Sequence, residues 1–376
     1  MSDTERIEMM TTETAKYATK KTLVDLLDDI DRFIRQYVIV SDHEYSILAL
    51  WVVHVFVIDA FDKTPYLAVT SASKACGKTR VLEVLELVID ANTQERCWFT
   101  ASATKAVLVR KIDALSPVLL LDETDGAFKG NPEYAETLRS VLNAGYSRGG
   151  TSSLCVGPKN DWKDFQVFCP KAFAGIGRDN LPDTVMDRSI PITMKKKRRD
   201  EAVSKFKQRE VLPLAIPLQK RLVKWATPDQ IDVLRGARPT FPPHISDRAE
   251  EISEPLLAIA NLANDEWATK ARQAVGALLR KIGDETSDIS EQLLHDIHAV
   301  WPPDTPFIAS MDLIYKLSAL VERPWATISR GGTITPHKMA HLLKEFRIIS
   351  RSNSGHVRGY DRERFTDAWG RYGVGE

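Results

Sequence analysis

Residues 66–87, YLAVTSASKACGKTRVLEVLEL, decide how the rest of the chain is interpreted. They start with a short apolar run, residues 66–69, which predicts a buried strand. A loop of small and polar residues follows and ends in Gly77-Lys78-Thr79, after which apolar residues recur at helical spacing. A strand, a loop, Gly-Lys-Thr and a helix are the layout of a phosphate-binding P-loop.

The chemistry of phosphate binding explains these residue types. Loop amides and a helix N-terminus donate to phosphate oxygens, and Lys78 supplies a cation to the β- and γ-phosphates. The Thr79 hydroxyl has the right length to hold Mg²⁺, and Gly77 lets the backbone approach the ligand. Ala72 stands where the usual pattern begins with glycine, and a strand–turn–helix with a chance Gly-Lys-Thr is the alternative. The expected nucleotide-binding residues of this stretch are Ser73, Lys74, Ala75, Cys76, Gly77, Lys78, Thr79 and Arg80.

A second motif, SPVLLLDETD at residues 116–125, follows some forty residues after the first. Its apolar run predicts a strand buried on both faces of a parallel sheet. Asp122 and Glu123 end this run, where an open α/β sheet binds its ligand. We expect Asp122 to hold Mg²⁺ through water and Glu123 to polarise the attacking water as a general base. An acidic turn after a strand is common, so nucleotide hydrolysis with ATP and Mg²⁺ depends on the two motifs together.

Composition sets limits on the class of protein. The 376 residues are 43% hydrophobic and 27% charged, which is typical of a soluble globular protein. The net charge is zero, so any basic face for nucleic acid must be local. The four cysteines form no CxxC pair, and we expect neither a zinc site nor a disulfide framework. No signal-peptide or membrane-spanning pattern is evident, which favours the cytoplasm, that of the host if a phage encodes the protein.

The order of patterns along the chain predicts the domain organisation. Strand and helix patterns alternate after the P-loop, which indicates an α/β fold with a parallel sheet. Residues 1–16 are polar and expected to be disordered, and Ser41–Glu44 predicts the capping turn of a helix. The predicted segments are a helical N-terminal segment at 1–60, a P-loop ATPase core at 61–195, a helical lid at 196–290 and a winged helix at 300–376.

Three further polar residues are candidates for the nucleotide site. Asn180 follows the predicted strand at 171–177, where such ATPases place a sensor of the γ-phosphate, but its position does not match clearly. Arg188 precedes the next strand and is placed to reach the ATP of a neighbouring subunit, or else it pairs with a nearby aspartate. Arg248 begins a lid helix and is either a second sensor or the partner of Glu251.

Basic residues in two regions are candidates for contacts with DNA. The first region is a glycine-rich turn and a hairpin beside the predicted sheet, with a solvated loop as the alternative. The second is residues 310–376, which carry 11 Lys and Arg against 7 acids, net +4. This region predicts a winged helix, with a protein-docking module as the alternative. The expected DNA contacts are Arg148, Lys159 and Lys163 in the first region, and Lys338, His341, Lys344, Arg351 and Arg358 in the second.

Most of the chain after residue 70 resembles a P-loop ATPase domain of phage and actinobacterial mobile-element proteins, often joined to primase modules. The resemblance is carried by ACGKTRVLEVLEL, VLLLDETD, LRSVLNAGYSRGG, AFAGIGRDNLPDTVMDRSI and ISDRAEEISEPLLAIANLA, and by the tail ITPHKMAHLLKEF and VRGYDRERFTDAW. It implies an AAA+-like helicase or replication-initiator ATPase. No primase signature precedes these stretches, so the resemblance does not extend to priming.

The sequence thus predicts an ATP-driven DNA-remodelling motor that acts on single-stranded or duplex DNA. A homo-oligomer is expected, with a hexameric ring as one form, because Arg188 is assigned to a neighbouring subunit's site. Two other functions stay open. One is a DNA-binding regulator in which ATP only switches assembly, and the other is a defence or counter-defence ATPase that acts on protein partners.

Overall fold

The computed structural model describes the chain from residue 22 to residue 372 with short gaps. The described ranges are 22–71, 73–90, 95–129, 132–157, 161–177, 181–198, 201–279, 289–321, 323–329, 332–346, 348–353 and 355–372. The predicted disorder at residues 1–16, Ala72, Lys159 and the sensor candidate Asn180 lie outside them. The chain divides into two compact units, Met1–Lys281 and Ile282–Glu376. The finer division into four segments stays a prediction.

The first unit is built on a parallel sheet. Its strands are β1 (Tyr66–Ser71), β2 (Cys97–Thr100), β3 (Val118–Leu121), β4 (Thr151–Val156), β5 (Asp161–Gln166), β6 (Lys171–Ile176) and β7 (Ser189–Met194). Five of them form a sheet in the order β2-β3-β6-β1-β7, and every neighbouring pair is parallel. The predicted α/β class with a parallel core is therefore confirmed. Strands β4 and β5 form a separate antiparallel hairpin.

Helices surround this sheet and share one hydrophobic core with it. They are α1 (22–35), α2 (Asp42–Phe56), α3 (Lys78–Asp90), α4 (Lys105–Leu115), α5 (Thr124–Lys129), α6 (Pro132–Ala144), α7 (Asp183–Met186), α8 (Gln208–Trp225), α9 (Pro228–Arg235), α10 (Asp247–Ala263) and α11 (Asp265–Leu279). The helices that the sequence assigned to a lid pack with the N-terminal helices. Trp267 of α11 donates its indole N–H to Asp28 of α1 at 3.0 Å, and Arg221 of α8 pairs with Asp29.

The predicted capping turn at the start of α2 is confirmed and has a second role. Ser41 is the N-cap, and its side chain and that of Glu44 form a reciprocal capping box. The buried Glu44 also accepts the backbone N–H of Thr193 in β7 through its second carboxylate oxygen, at 2.5 Å. One carboxylate therefore fixes the start of α2 to an edge strand of the sheet.

A buried histidine joins α2 to the segment before β1. His54 is fully buried, and its Nε2 lies 2.9 Å from the hydroxyl of Thr64. Its Nδ1 has no hydrogen-bond partner in the described chain. Burial lowers the pKa of His54 to about 3, because a charged imidazole is poorly solvated in the core.

We expect His54 to make the first unit sensitive to acid. The unfolded chain takes up this proton near pH 6.5 and the folded chain only near pH 3, so stability is full above pH 6.5 and falls as the pH is lowered towards 3. The loss is about 1.4 kcal/mol per pH unit. Urea unfolding at pH 6.5 and 5.0 should show a smaller pH effect in His54→Gln than in the wild type. His43→Gln, a half-exposed site on the same helix, should keep the wild-type effect, and equal effects in all three proteins would contradict the assignment.

The second unit has its own core and a small antiparallel sheet. Its elements are α12 (Ile289–Val300), β8 (Phe307–Ala309), α13 (Ser310–Ser318), α14 (Pro336–Leu343), β9 (Arg351–Ser352), β10 (Arg358–Asp361) and α15 (Glu363–Arg371). The strands pair in the order β8-β10-β9. Thr335 caps α14, since its side chain accepts the N–H of Lys338. In the described ranges, no helix has both the length and the apolar content to span a membrane.

Candidate nucleotide and phosphate site

The loop between β1 and α3 has backbone amides that find no carbonyl partner in the described chain, and that of Ser73 is directed at the Cys76 thiol. Ala75 and Gly77 have positive φ angles of 59° and 87°, which bend the loop around its own amides. Within the described chain, no backbone carbonyl accepts from the amides of residues 73–78. The last of these belongs to the N-terminus of α3, a helix of 13 residues. Unpaired amides at the start of a helix form an anion-binding cradle.

Lys78 points back over this loop. Its Nζ donates to the Ser71 hydroxyl at 2.8 Å and lies 3.5 Å from the carbonyl oxygen of Ser73. The side chain is half-buried. The amine therefore lies at the mouth of the amide cradle, where it can neutralise a bound anion.

Thr79 and Asp122 meet across the carboxyl ends of β1 and β3. The Thr79 hydroxyl donates to Asp122 Oδ2 at 2.7 Å. The other carboxylate oxygen of Asp122 accepts the backbone N–H of Glu123 at 2.8 Å. The two motifs that the sequence singled out, 43 residues apart, thus form one site.

The turn that carries Glu123 is anchored to the neighbouring strand β6. Glu123 has φ +54°, an uncommon conformation for a residue with a side chain, and it is exposed. Thr124 donates its hydroxyl to the Ala174 carbonyl at 3.1 Å, and Asp125 accepts the Ile176 N–H at 3.0 Å. A Cβ at Gly175 would lie 2.4 Å from the Thr124 hydroxyl, so the close approach of turn and strand requires glycine.

The oxygen donors of this site fit a magnesium ion. Mg²⁺ is usually bound by one or two protein oxygens together with phosphate oxygens and waters, and Thr79 and Asp122 offer a hydroxyl and a carboxylate in contact. Among the described residues, no group of three His, Cys, Asp or Glu side chains could hold a metal alone. A metal here would therefore depend on the phosphates of a bound ligand.

A small cavity of about 230 Å³ opens beside the loop. It is lined by residues 75–77 and Arg80 on one side and by Val38, Met194 and Val203 on the other. Arg80 packs its guanidinium 4.0 Å from the centre of the Phe206 ring and pairs with Glu83. Arg80 therefore borders the cavity together with residues 75–77 of the loop.

Cys76 lies within the loop and is a free thiol, like the other three cysteines. Its Sγ is 3.3 Å from the Ser73 hydroxyl. This hydrogen bond holds the pKa of the Cys76 thiol below its usual value, because it stabilises the thiolate. The side chain is nevertheless largely buried.

The two arginines predicted for the nucleotide site lie at the opposite end of the sheet. The carbonyl of Arg188 accepts the N–H of Tyr66, the first residue of β1, whereas the P-loop follows its last residue. Six residues of strand separate these ends by roughly 20 Å. Arg248 pairs with Glu251 and donates to the Tyr146 hydroxyl at the same end. Arg248 thus forms the pair with Glu251 that was the alternative, and its role as a second sensor stays a prediction.

The predicted DNA contacts of the first unit have different surroundings. Arg148 donates to the carbonyls of Phe61 and Ile58 at 3.1 and 3.0 Å, so it fixes a neighbouring turn and is not part of a solvated tip. Lys163 lies within β5 and not in the hairpin turn where the sequence placed it, and it is exposed. Lys159 lies outside the described residues.

In the second unit, three of the five predicted DNA contacts are engaged within the chain. Lys338 donates to the Ile328 carbonyl at 2.8 Å. Arg351 forms a two-pronged pair with Asp361, and Arg358 donates to the Ser350 hydroxyl at 3.1 Å. The remaining two lie exposed or half-exposed on and after α14, and they are His341 and Lys344.

Sequence reasoning missed two residues of strand β6. Lys171, at the amino end of the strand and away from the P-loop, is fully buried and donates to the carbonyls of Gly145, Val167 and Cys169 at 2.9–3.1 Å, and burial lowers the pKa of its amine. No local pattern marks its contact with Gly145, which is 26 residues away in sequence. Gly175, in contrast, carried a signal, since a glycine inside a strand indicates a close approach.

Comparison with known proteins gives a family. Residues 193–372 match a domain described as a protein of unknown function, DUF3631; the P-loop and the acidic turn lie outside this match. A Saccharopolyspora erythraea protein, named as an uncharacterized 28.9 kDa protein in the xis 5′ region, is 32% identical over 184 residues, which are 48% of this chain and 68% of that protein. The chain belongs to the family of this actinobacterial protein.

Proposed function

We propose that this protein is an ATP-hydrolysing motor that remodels DNA during replication of a phage or another mobile element. In this proposal the first unit is an AAA+-like P-loop ATPase and the second unit is a winged helix. The observation that carries the proposal is the contact between Thr79 and Asp122 at 2.7 Å, beside a loop whose amides have no carbonyl partners in the described chain. A hydroxyl and a carboxylate next to an anion cradle are what a nucleotide with Mg²⁺ requires.

Each residue of the site has a chemical role in this proposal. The amides of residues 73–78 and the Lys78 amine bind the β- and γ-phosphates. Thr79 and Asp122 hold Mg²⁺, which would neutralise charge that develops on the phosphates. Glu123 accepts a proton from the attacking water. The bonds of the turn to β6 keep that carboxylate at a fixed place relative to the P-loop strand, since β6 lies between β1 and β3.

The cavity beside the loop supports a nucleotide as the ligand. Its 230 Å³ is less than the roughly 300–1,000 Å³ of complete ligand pockets, so it suits the base alone. Its lining also includes Lys195 and Lys197 and does not select one base, so we propose ATP from the resemblance to P-loop ATPases.

Two observations support DNA and a mobile element as the setting. The second unit has helices followed by a short hairpin and a final helix, the order of a winged helix, and His341 and Lys344 are exposed on it. The related actinobacterial protein is named for a position in the xis 5′ region, which supports a mobile-element origin.

The test is the rate of ATP hydrolysis by the full chain without DNA, with single-stranded DNA and with a forked duplex. Strand separation of the fork and particle size on ATP addition are recorded in parallel. We expect DNA to raise the rate, the fork to open and ATP to enlarge the particle. Specific duplex binding without opening would favour the ATP-switched regulator, and the absence of hydrolysis would contradict the proposal.

A second candidate function is an ATPase that acts on protein partners. It is favoured by Met311 and Tyr315, which lie one turn apart on α13 and are 65% and 79% exposed. Such apolar exposure is typical of a protein-docking surface. Hydrolysis together with no DNA binding at low salt would support this function, because phosphate contacts are strongest there.

A further inference from the structure

Three cations gather around one buried tyrosine at the amino end of the sheet. Lys63 donates its Nζ to the Tyr146 hydroxyl at 3.3 Å, and Arg248 donates to the same hydroxyl. The guanidinium carbons of Arg188 and Arg248 lie 4.8 and 5.0 Å from the ring centre, and the Lys63 amine lies 4.7 Å from it. Tyr146 itself is only 7% exposed. We call these four residues the Tyr146 cluster.

The Tyr146 cluster carries more positive charge than its surroundings neutralise. Glu251 pairs with Arg248, and no other carboxylate pairs with a cation of the cluster in the described chain. Three cations and one acid leave a net charge of +2. In addition, Arg188 Nε is shielded from solvent and has no hydrogen-bond partner among the described residues. Cations packed this closely repel one another and are stabilised by an anion between them.

The Tyr146 cluster is too far from the P-loop of its own chain to contact the phosphates of a nucleotide bound there. Tyr146 accepts the N–H of Thr64 through its carbonyl, just before β1 begins, while the amide cradle follows the other end of that strand. An anion at the Tyr146 cluster must therefore come from another molecule.

We propose that the Tyr146 cluster is a phosphate-binding site for the terminal phosphates of a nucleotide held in the P-loop of a second copy of this chain. The proposal rests on the function proposed above and adds Lys63, Arg248 and Tyr146 to the trans role of Arg188. Guanidinium groups match phosphate oxygens in geometry, and an ammonium adds a compact charge. Tyr146 is a positioning residue, because its ring and hydroxyl hold all three cations in place.

The arrangement favours a nucleotide over the backbone of nucleic acid. A nucleic-acid strand presents its charges in a row, one per nucleotide, and cations that bind it are spread along the protein surface. Here the three cations surround a single ring. This geometry suits one compact group with several negative charges, such as a terminal phosphate.

The first experiment separates binding from hydrolysis in the absence of DNA. The double variant Lys63→Ala/Arg248→Ala is compared with Arg32→Ala, which removes another arginine–carboxylate pair of i,i+3 spacing from the same unit. We expect the double variant to bind a fluorescent ATP analogue within about twofold of wild type and to lose hydrolysis about 10³-fold or more, as on loss of an arginine finger. Hydrolysis equal to that of Arg32→Ala would overturn the proposal.

A mixing experiment tests whether the site is shared between copies. Lys78→Ala keeps the Tyr146 cluster and lacks a working P-loop, whereas the double variant keeps the P-loop and lacks the cluster. Each is expected to be inactive alone, and a mixture should regain activity at mixed interfaces. A mixture that does not regain ATP hydrolysis would overturn the proposal. A double variant that hydrolyses ATP normally and differs only in a weaker, less salt-dependent affinity for DNA would also overturn it.

Tyr146→Phe tests the positioning role. It keeps the ring and removes the hydroxyl that two cations share. We expect kcat to fall and the KM for ATP to stay unchanged, with a larger fall in Tyr146→Leu. An unchanged kcat in both variants would overturn the role of Tyr146. Failure of the proposed function is distinct from these results, since the wild-type chain would then neither bind nor hydrolyse ATP.

Discussion

Replacement of Lys78 by alanine is expected to lower ATP hydrolysis by about 10²–10³-fold, the loss typical of one removed donor to a developing negative charge. Affinity for ATP should fall as well, because the amine lies at the mouth of the amide cradle, 2.8 Å from the Ser71 hydroxyl. The structure predicts little effect on folding, since the side chain is half-buried and its bonds are to a loop. Hydrolysis and binding of a fluorescent ATP analogue are measured on the same protein.

The matched control for this variant is Lys220→Ala, which removes an exposed lysine from α8. It should keep the wild-type rate and affinity. Hydrolysis by Lys78→Ala at the wild-type rate would contradict three proposals together: the phosphate site, the site shared between copies and the motor. All three depend on a triphosphate bound in this loop.

Replacement of Glu123 by glutamine is expected to separate binding from turnover. The amide has the size of the carboxylate but cannot accept a proton from water, so the rate should fall by about 10²–10⁴-fold. The contacts of Lys78, Thr79 and Asp122 remain, and bound ATP should accumulate. Retention of radiolabelled ATP after gel filtration, with rapid-quench measurement of a single turnover, checks both expectations.

Two comparison variants sharpen the Glu123 result. Asp122→Asn should lose nucleotide binding as well as turnover, because its carboxylate contacts the Thr79 hydroxyl. Glu136→Gln alters an exposed acid on α6 that pairs with Arg139 and should behave as the wild type. A rapid single turnover by Glu123→Gln would show that another group activates the water.

The fold of the first unit could be predicted where an element is determined by residues close together in the sequence. Strands β1, β3 and β6 are short apolar runs, and the start of α2 has a capping box, so each is decided by neighbours in sequence. The contact of Thr79 with Asp122 could also be predicted, because parallel strands bring their carboxyl ends to the same edge of the sheet.

Features that depend on distant parts of the chain could not be predicted. Lys63, Tyr146, Arg188 and Arg248 meet at the Tyr146 cluster from four separate segments, and no periodicity connects them. The neutralisation of Arg351 by Asp361 depends on the pairing of β9 with β10. The start of α8 also depends on a distant contact: Ser204 donates its N–H to the Gln36 carbonyl of the segment after α1, which holds the chain out of the helix.

The carboxylate of Glu44 also limits how copies of this chain can associate. β7 is an edge strand, and exposed edges invite a strand of another molecule to add to the sheet. Glu44 already occupies the N–H of Thr193 on that edge. Continuation of the sheet past β7 is therefore blocked at this amide, and a second copy that approaches this edge meets the Glu44 carboxylate in place of a free N–H.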